Sequence, residues 1–138
     1  MQKKYYIDSC IWIDYFENRS DRFKPLGDWA FLLFKKIINE NNLILYSDLL
    51  QGELSNLFNE SDITEILSII PERILLKVNS SKIQLKETMF ISKKFMIPVN
   101  DALHFILARE NNAILITRDK HLLELPVKIK VAKPEELI

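Results

Sequence analysis

Glycine is nearly absent from this chain of 138 residues: Gly27 and Gly52 are the only two, and they stand far apart. A dinucleotide-binding turn requires G-x-G-x-x-G and a phosphate-cradling P-loop requires G-x-x-x-x-G-K-[ST], so both motifs are excluded. Cysteine is scarcer still. Cys10 stands alone, which removes any internal disulfide and any zinc site built on several cysteines. It reads as a small buried residue rather than a nucleophile, and a reducing compartment suits it. Net charge is also missing: 19 Lys+Arg balance 19 Asp+Glu. That argues against an indiscriminate polyanion binder or a polybasic membrane clamp, so any polyanion must be met by local patches. No apolar run approaches the ~18 residues of a membrane span. Lys3 and Lys4 resemble the start of a signal, but Asp8 and Asp14 interrupt the apolar run behind them. The expectation is a soluble, cytoplasmic protein without a membrane partner.

What is present is ordinary globular composition, 48% hydrophobic and 28% charged. The length suits a single domain spanning 1–138, and no repeat, low-complexity tract or linker divides it. Residues 3–8 read as a first strand, 10–17 as a helix, and 28–40 as a strongly apolar helix after the break at Pro25. Leu43–Tyr46 is a buried-type strand. Residues 48–59 and 62–70 read as helices, the second started by Ser61 or Asp62 and stopped by Pro71. Ile74–Val78 is a third strand and 80–95 a long helix. Asn100 is expected to cap a helix over 101–110. Ala113–Ile116 is a fourth strand, and a short helix near 119–124 and a strand near 127–132 complete the chain. Strands that are continuously apolar and alternate with helices predict a parallel sheet covered on both faces. The fold class is therefore α/β, a three-layer α/β/α sandwich with about five strands.

Ligands of such sheets bind beyond the carboxyl ends of the strands. Asp8 ends the first strand and Asp119 follows the fourth by a short turn. An Asp after a strand also serves turns and helix caps, but two at strand ends on one sheet edge point to a shared site. Glu53 falls within the apolar arc of its helix, among Leu49, Leu50 and Leu57. A carboxylate there must reach a rim, or else be paired, protonated or bound to a cation. Asp101 opens the nearly apolar helix Asp101-Ala-Leu-His-Phe-Ile-Leu-Ala, where an acid also suits the helix dipole. His104, one turn on, reads as a core or supporting histidine rather than a ligand. Asp14, Glu17, Asp48 and Glu124 are set aside as exposed helix face, rim, helix start and solvated turn. Carboxylates gathered with few bases repel one another, and a hard divalent cation such as Mg²⁺ or Mn²⁺ relieves this. Such ions support phosphodiester hydrolysis, though this reasoning names no substrate.

Tyr6-Ile-Asp8-Ser9-Cys-Ile-Trp, Glu53 on an early helix, Asp101-Ala-Leu-His-Phe-Ile-Leu-Ala and Ile-Thr117-Arg-Asp119-Lys-His-Leu, in this order and across the whole chain, resemble a PIN domain. The resemblance implies a Mg²⁺/Mn²⁺-dependent endoribonuclease. In it Asp8, Asp101, Asp119 and Glu53 match the metal-binding acids, Thr117 the hydroxyl residue before the last aspartate, and Ser9 the small polar residue after the first. It also implies a VapC-type toxin, usually a homodimer, acting on RNA and blocked by a small antitoxin protein. The aromatic residues between Phe16 and Phe34 are candidates for a dimer or antitoxin groove, with core packing explaining at least half of them. The chief alternative is a catalytically inactive PIN-like module that binds RNA or protein. A receiver domain is disfavoured because Asn79-Ser80-Ser81 follows the third strand with no acid. A haloacid-dehalogenase-like phosphatase is disfavoured because Cys10 stands where a second aspartate is needed.

Overall fold

The computed structural model describes residues 1–138. Five strands, β1 (Lys4–Ile7), β2 (Leu43–Ser47), β3 (Leu75–Val78), β4 (Ile114–Ile116) and β5 (Val131–Ala132), form one sheet in the order β3-β2-β1-β4-β5. All pairings are parallel, with Tyr6 opposite Leu45 on one side and Leu115 on the other. β1 lies at the centre. The chain winds from it toward β3 and then returns on the opposite side through β4, so the order reverses between β1 and β4. The carboxyl ends of those two strands therefore bound the crevice where an open α/β sheet binds its ligand.

Seven helices surround the sheet: α1 (Ser9–Phe16), α2 (Leu26–Asn39), α3 (Asp48–Ser55), α4 (Glu60–Leu67), α5 (Lys82–Phe95), α6 (Val99–Glu110) and α7 (Lys120–Leu123). Successive residues of β1 point to opposite faces, as the strand period requires. Tyr5 and Ile7 join Trp12 of α1 and Leu33, Phe34 and Ile37 of α2 in one core. Tyr6 joins Leu50 and Leu54 of α3, Ile91 of α5 and Phe105–Ala108 of α6 in the other. The two cores are the interfaces of the three expected layers.

Scarcity of glycine shapes the turns. Neither glycine has a positive φ; Asn18, Arg22, Asn41, Met96 and Asn112 occupy the left-handed region instead, and asparagine tolerates it better than most side chains. Met96, at φ 55°, closes α5, and the three residues Met96, Ile97 and Pro98 separate α5 from α6.

Three local readings are corrected. Asn100 does not cap α6: the helix begins at Val99 behind Pro98, whose fixed φ suits a helix start, and the Asn100 amide reaches Glu53 instead. α4 is capped by the Asn59 side chain, two or three residues earlier than Ser61 or Asp62 would place it. The last strand is only Val131–Ala132. Val127 and Ile129 still pack on the core, so the alternation over 127–132 records side-chain packing more than ladder pairing.

Candidate active site

Asp8 leaves β1 and is at once the N-cap of α1. It is buried, and both of its oxygens are held. Oδ1 accepts the Ser9 amide at 2.8 Å and Oδ2 accepts the Thr117 hydroxyl at 2.7 Å. Thr117, wholly buried just past β4, also accepts the Asp119 amide at 2.9 Å. Asp119 in turn caps α7, its Oδ1 accepting the His121 amide at 2.8 Å. Capping chemistry thus aims both carboxylates: each sits where a strand ends and a helix begins, and its helix fixes its rotamer.

Glu53 projects from α3 and is partly buried. Its Oε1 lies 2.9 Å from His104 Nε2, and its Oε2 accepts the Asn100 amide at 3.2 Å. A carboxylate can only accept, so His104 Nε2 carries a proton. The other ring nitrogen, Nδ1, lies 2.7 Å from the Tyr6 hydroxyl, itself 2.7 Å from Ser47 Oγ. Ser47 caps α3 by accepting the Leu50 amide. A buried chain of hydrogen bonds therefore runs along one face of the sheet from the start of α3, through Tyr6 and His104, to Glu53 farther along the same helix. Burial works to raise the Glu53 carboxyl, but the hydrogen bond and charge of His104, with Ser9 and Asn100, outweigh it and hold the group below its ordinary value. Burial works to lower the imidazole, but Glu53, Asp8 and Asp101 together raise it.

Asp101, in the first turn of α6, completes the set. Its Oδ2 is sealed from solvent and has no hydrogen-bond partner. Burial, then the neighbouring Asp119 carboxylate and the charge of Asp8, push its pKa up to about 6. An orphaned, electrostatically crowded carboxylate oxygen is what a hard cation relieves.

The four acids and Ser9 line one open recess of about 350 Å³, together with Cys10 and Arg118. All six residues singled out from the sequence thus meet here, Asp8, Glu53, Asp101, Asp119 and Ser9 on its walls and Thr117 directly behind Asp8. Arg118 does not neutralise them. Its guanidinium makes a two-pronged contact with Glu135 at 3.0 and 2.7 Å, lies 3.4 Å from Asp14 and sits over the Trp29 ring. Asp14 is accordingly buried, not on an exposed helix face. Its partner is distant in sequence, so helical spacing alone could not reveal it. Leu57 lies beyond the end of α3 and is exposed. The apolar surroundings of Glu53 are therefore thinner than its helical spacing suggests, and His104 is what accounts for its partial burial. From the sequence Asn100 offered only a helix cap, and His121 carried no assigned role. The spacing Asp119-x-His121 at a helix start was the available signal for the latter.

Comparisons follow the same lines. The family model described as "PIN domain" matches residues 5–128. No curated protein matches the sequence. Among solved structures, one titled as VapBC2 from Rickettsia felis bound to a DNA fragment from its promoter has 18% identity, with 93% of this chain and 96% of that chain covered at a TM-score of 0.66. A toxin–antitoxin complex from Klebsiella pneumoniae has 20% identity, coverage of 94% and 97%, and a TM-score of 0.63. FitAcB from Neisseria gonorrhoeae has 16% identity, coverage of 96% and 99%, and a TM-score of 0.61. At these identities the likeness is one of fold.

Proposed function

The chain belongs to the PIN domain family, and from that premise we propose that it is a metal-dependent endoribonuclease, the toxin of a VapBC-type toxin–antitoxin pair. The observation that carries the reading is the convergence of Asp8, Glu53, Asp101 and Asp119 on one recess, with Asp101 Oδ2 left without a partner. Oxygen donors of this kind suit Mg²⁺ or Mn²⁺, and these four residues would hold the ion. Bound there, a divalent ion would offset the charge that develops on a phosphodiester during hydrolysis.

The chain's own residues prepare that chemistry. Ser9 and Thr117 fix the rotamer of Asp8, so its carboxylate needs no reorganisation when the substrate arrives. His104 and Asn100 do the same for Glu53. The Asp119 carboxylate is oriented by its own helix. The recess is open, which suits a polymeric substrate entering from the side. With the acids turned inward and neutralised by an ion, the exposed Lys120 beside Asp119 remains to meet phosphates, giving RNA affinity that falls with salt.

The proposed partners are RNA, a second copy of the chain and a small antitoxin protein, within the cytoplasm. No helix is long and apolar enough to cross a membrane. Between Phe16 and Phe34 fewer of the aromatic residues are core than expected: Phe34 is core, Trp29 is half-buried beneath Arg118, and Phe23 and Phe31 are exposed and available to a partner. The whole of 1–138 is taken to act as one nuclease domain.

The test is cleavage of single-stranded RNA by the purified protein with Mn²⁺, beside Asp8→Asn and Asp101→Asn. Cleavage by the wild type that both variants abolish is expected. Cleavage retained in Asp101→Asn would reject the site assignment. RNA binding without cleavage would transfer the chain to the non-catalytic reading.

A further inference from the structure

At the lip of the recess a nitrogen joins the acids. His121, on α7, places its Nδ1 3.3 Å from Asp119 Oδ1 and 3.5 Å from Asp101 Oδ2. These three ligating atoms lie within 4.8 Å of one another. Neither approach is a hydrogen bond: Asp119 Oδ1 is bonded to the His121 backbone amide, and the buried Asp101 Oδ2 is bonded to nothing. With Nδ1 unprotonated, three electron-pair donors thus converge on one point; protonated, the imidazole is an ion-pair partner of both acids. The spacing fits a shared ion. Ligands about 2.1–2.2 Å from a metal stand roughly 3.0 Å apart at octahedral right angles and roughly 3.5 Å apart at tetrahedral angles.

We propose that Asp101, Asp119 and His121 form a mixed oxygen–nitrogen metal site, with His121 Nδ1 as a ligand, and that this nitrogen makes the protein prefer Mn²⁺ to Mg²⁺. The inference rests on the metal-dependent reading of the acids given above. It adds a ligand that those acids do not require and a metal preference that they do not set. Imidazole nitrogen suits first-row transition ions, whereas Mg²⁺ favours carboxylate, carbonyl and water oxygen. His121 is free to serve. Its ring is 56% exposed, so Nε2 can carry the proton toward solvent while Nδ1 offers its lone pair to the ion. The chain's other histidine, near Asp8 and Glu53, is already engaged at both ring nitrogens. His104 holds Glu53 through Nε2 and meets the Tyr6 hydroxyl through Nδ1, which makes it a positioning residue.

The experiment combines calorimetric titration of Mn²⁺ and of Mg²⁺ with pulsed EPR of the Mn²⁺-loaded protein, on the full-length wild type, His121→Ala and Asp101→Asn. His121 is more than half exposed, so its removal leaves the core intact. The wild type is expected to bind Mn²⁺ more tightly than Mg²⁺ and to show nitrogen coupling to the manganese. His121→Ala should lose that coupling and about tenfold or more of Mn²⁺ affinity, with its Mg²⁺ affinity nearly unchanged. Manganese bound without nitrogen coupling overturns the inference and leaves the acid site standing. Coupling that persists in His121→Ala also overturns it, because the nitrogen would then belong to His104. A wild type that binds neither ion, or an Asp101→Asn protein that binds Mn²⁺ as the wild type does, overturns the metal-dependent reading itself.

Discussion

The Thr117 hydroxyl donates to Asp8 Oδ2 at 2.7 Å, joining the carboxyl ends of the two strands between which the sheet order reverses. The Thr117 hydroxyl oxygen itself accepts the Asp119 amide at 2.9 Å. One buried hydroxyl therefore sets the spacing of two acids that are far apart in sequence. Thr117→Val keeps the shape but leaves a carboxylate oxygen and an amide without their partner. A loss of about 1–3 kcal/mol in denaturant unfolding is expected, with Mn²⁺ binding weakened about tenfold or more. Thr117→Ser should retain most of the affinity. A valine variant that binds Mn²⁺ as the wild type does would remove Thr117 from the positioning machinery.

Asp101 supplies a pH prediction for the metal-free protein. Its carboxyl titrates near 6 in the folded state against about 3.9 when unfolded. The folded protein therefore holds the extra proton between those values, and ionisation destabilises it as pH rises through that window. Asp101→Asn removes the effect. The variant should melt above the wild type at pH 7 and close to it at pH 4, with the gap opening between roughly 4 and 6. Saturating Mn²⁺ should raise the wild-type melting temperature and reverse the order. A gap independent of pH would refute the electrostatic account.

Half-buried Arg118 faces buried Asp14 at 3.4 Å and joins α1 to the turn before α7, and Glu135 ties the C-terminal segment to the same guanidinium. Burial raises the Asp14 pKa, and the Arg118 and Arg19 charges oppose that rise. Arg118→Met strips Asp14 of its nearest cation while largely preserving the packing over Trp29. A cost of about 1–3 kcal/mol is expected from urea unfolding. Adding Asp14→Asn should recover part of it, because the uncompensated charge is then gone. If the double variant is no more stable than the single one, desolvated charge is not the cause.

The two glycines make opposite predictions. Gly27, at the start of α2, lies against α1: a Cβ there would stand 2.6 Å from Asn18 Oδ1, 2.7 Å from Asn18 Cα and 2.8 Å from the Asp14 carbonyl oxygen. Gly27→Ala should cost about 1–3 kcal/mol through forced separation of the helices. Gly52 lies within α3 with nothing within 4 Å of its virtual Cβ. Gly52→Ala should stabilise by about 0.5–1 kcal/mol. Thermal melts of the two variants, shifted in opposite directions, are the check.

Much of this protein was legible before folding. Short strands of unbroken apolar residues, alternating with helices, determined a parallel sheet covered on both faces, because such strands cannot leave either face in water. The sheet's polarity then determined that Asp8, Thr117 and Asp119 would gather at one edge, and the motifs around them identified the family. Tertiary structure alone decided the rest. Asp14 looked like a residue of an exposed helix face and is buried, because its partner Arg118 lies across the fold. Asn100 looked like a cap and instead holds Glu53, because Pro98 had already set the start of α6. His121 carried no assigned role in the sequence and stands over the acids, because Asp119 begins α7 there. Periodicity assigns each residue a face of its own element. Which element that face meets, and so which charges are paired and which oxygen is left without a partner, depends on contacts between residues remote in sequence.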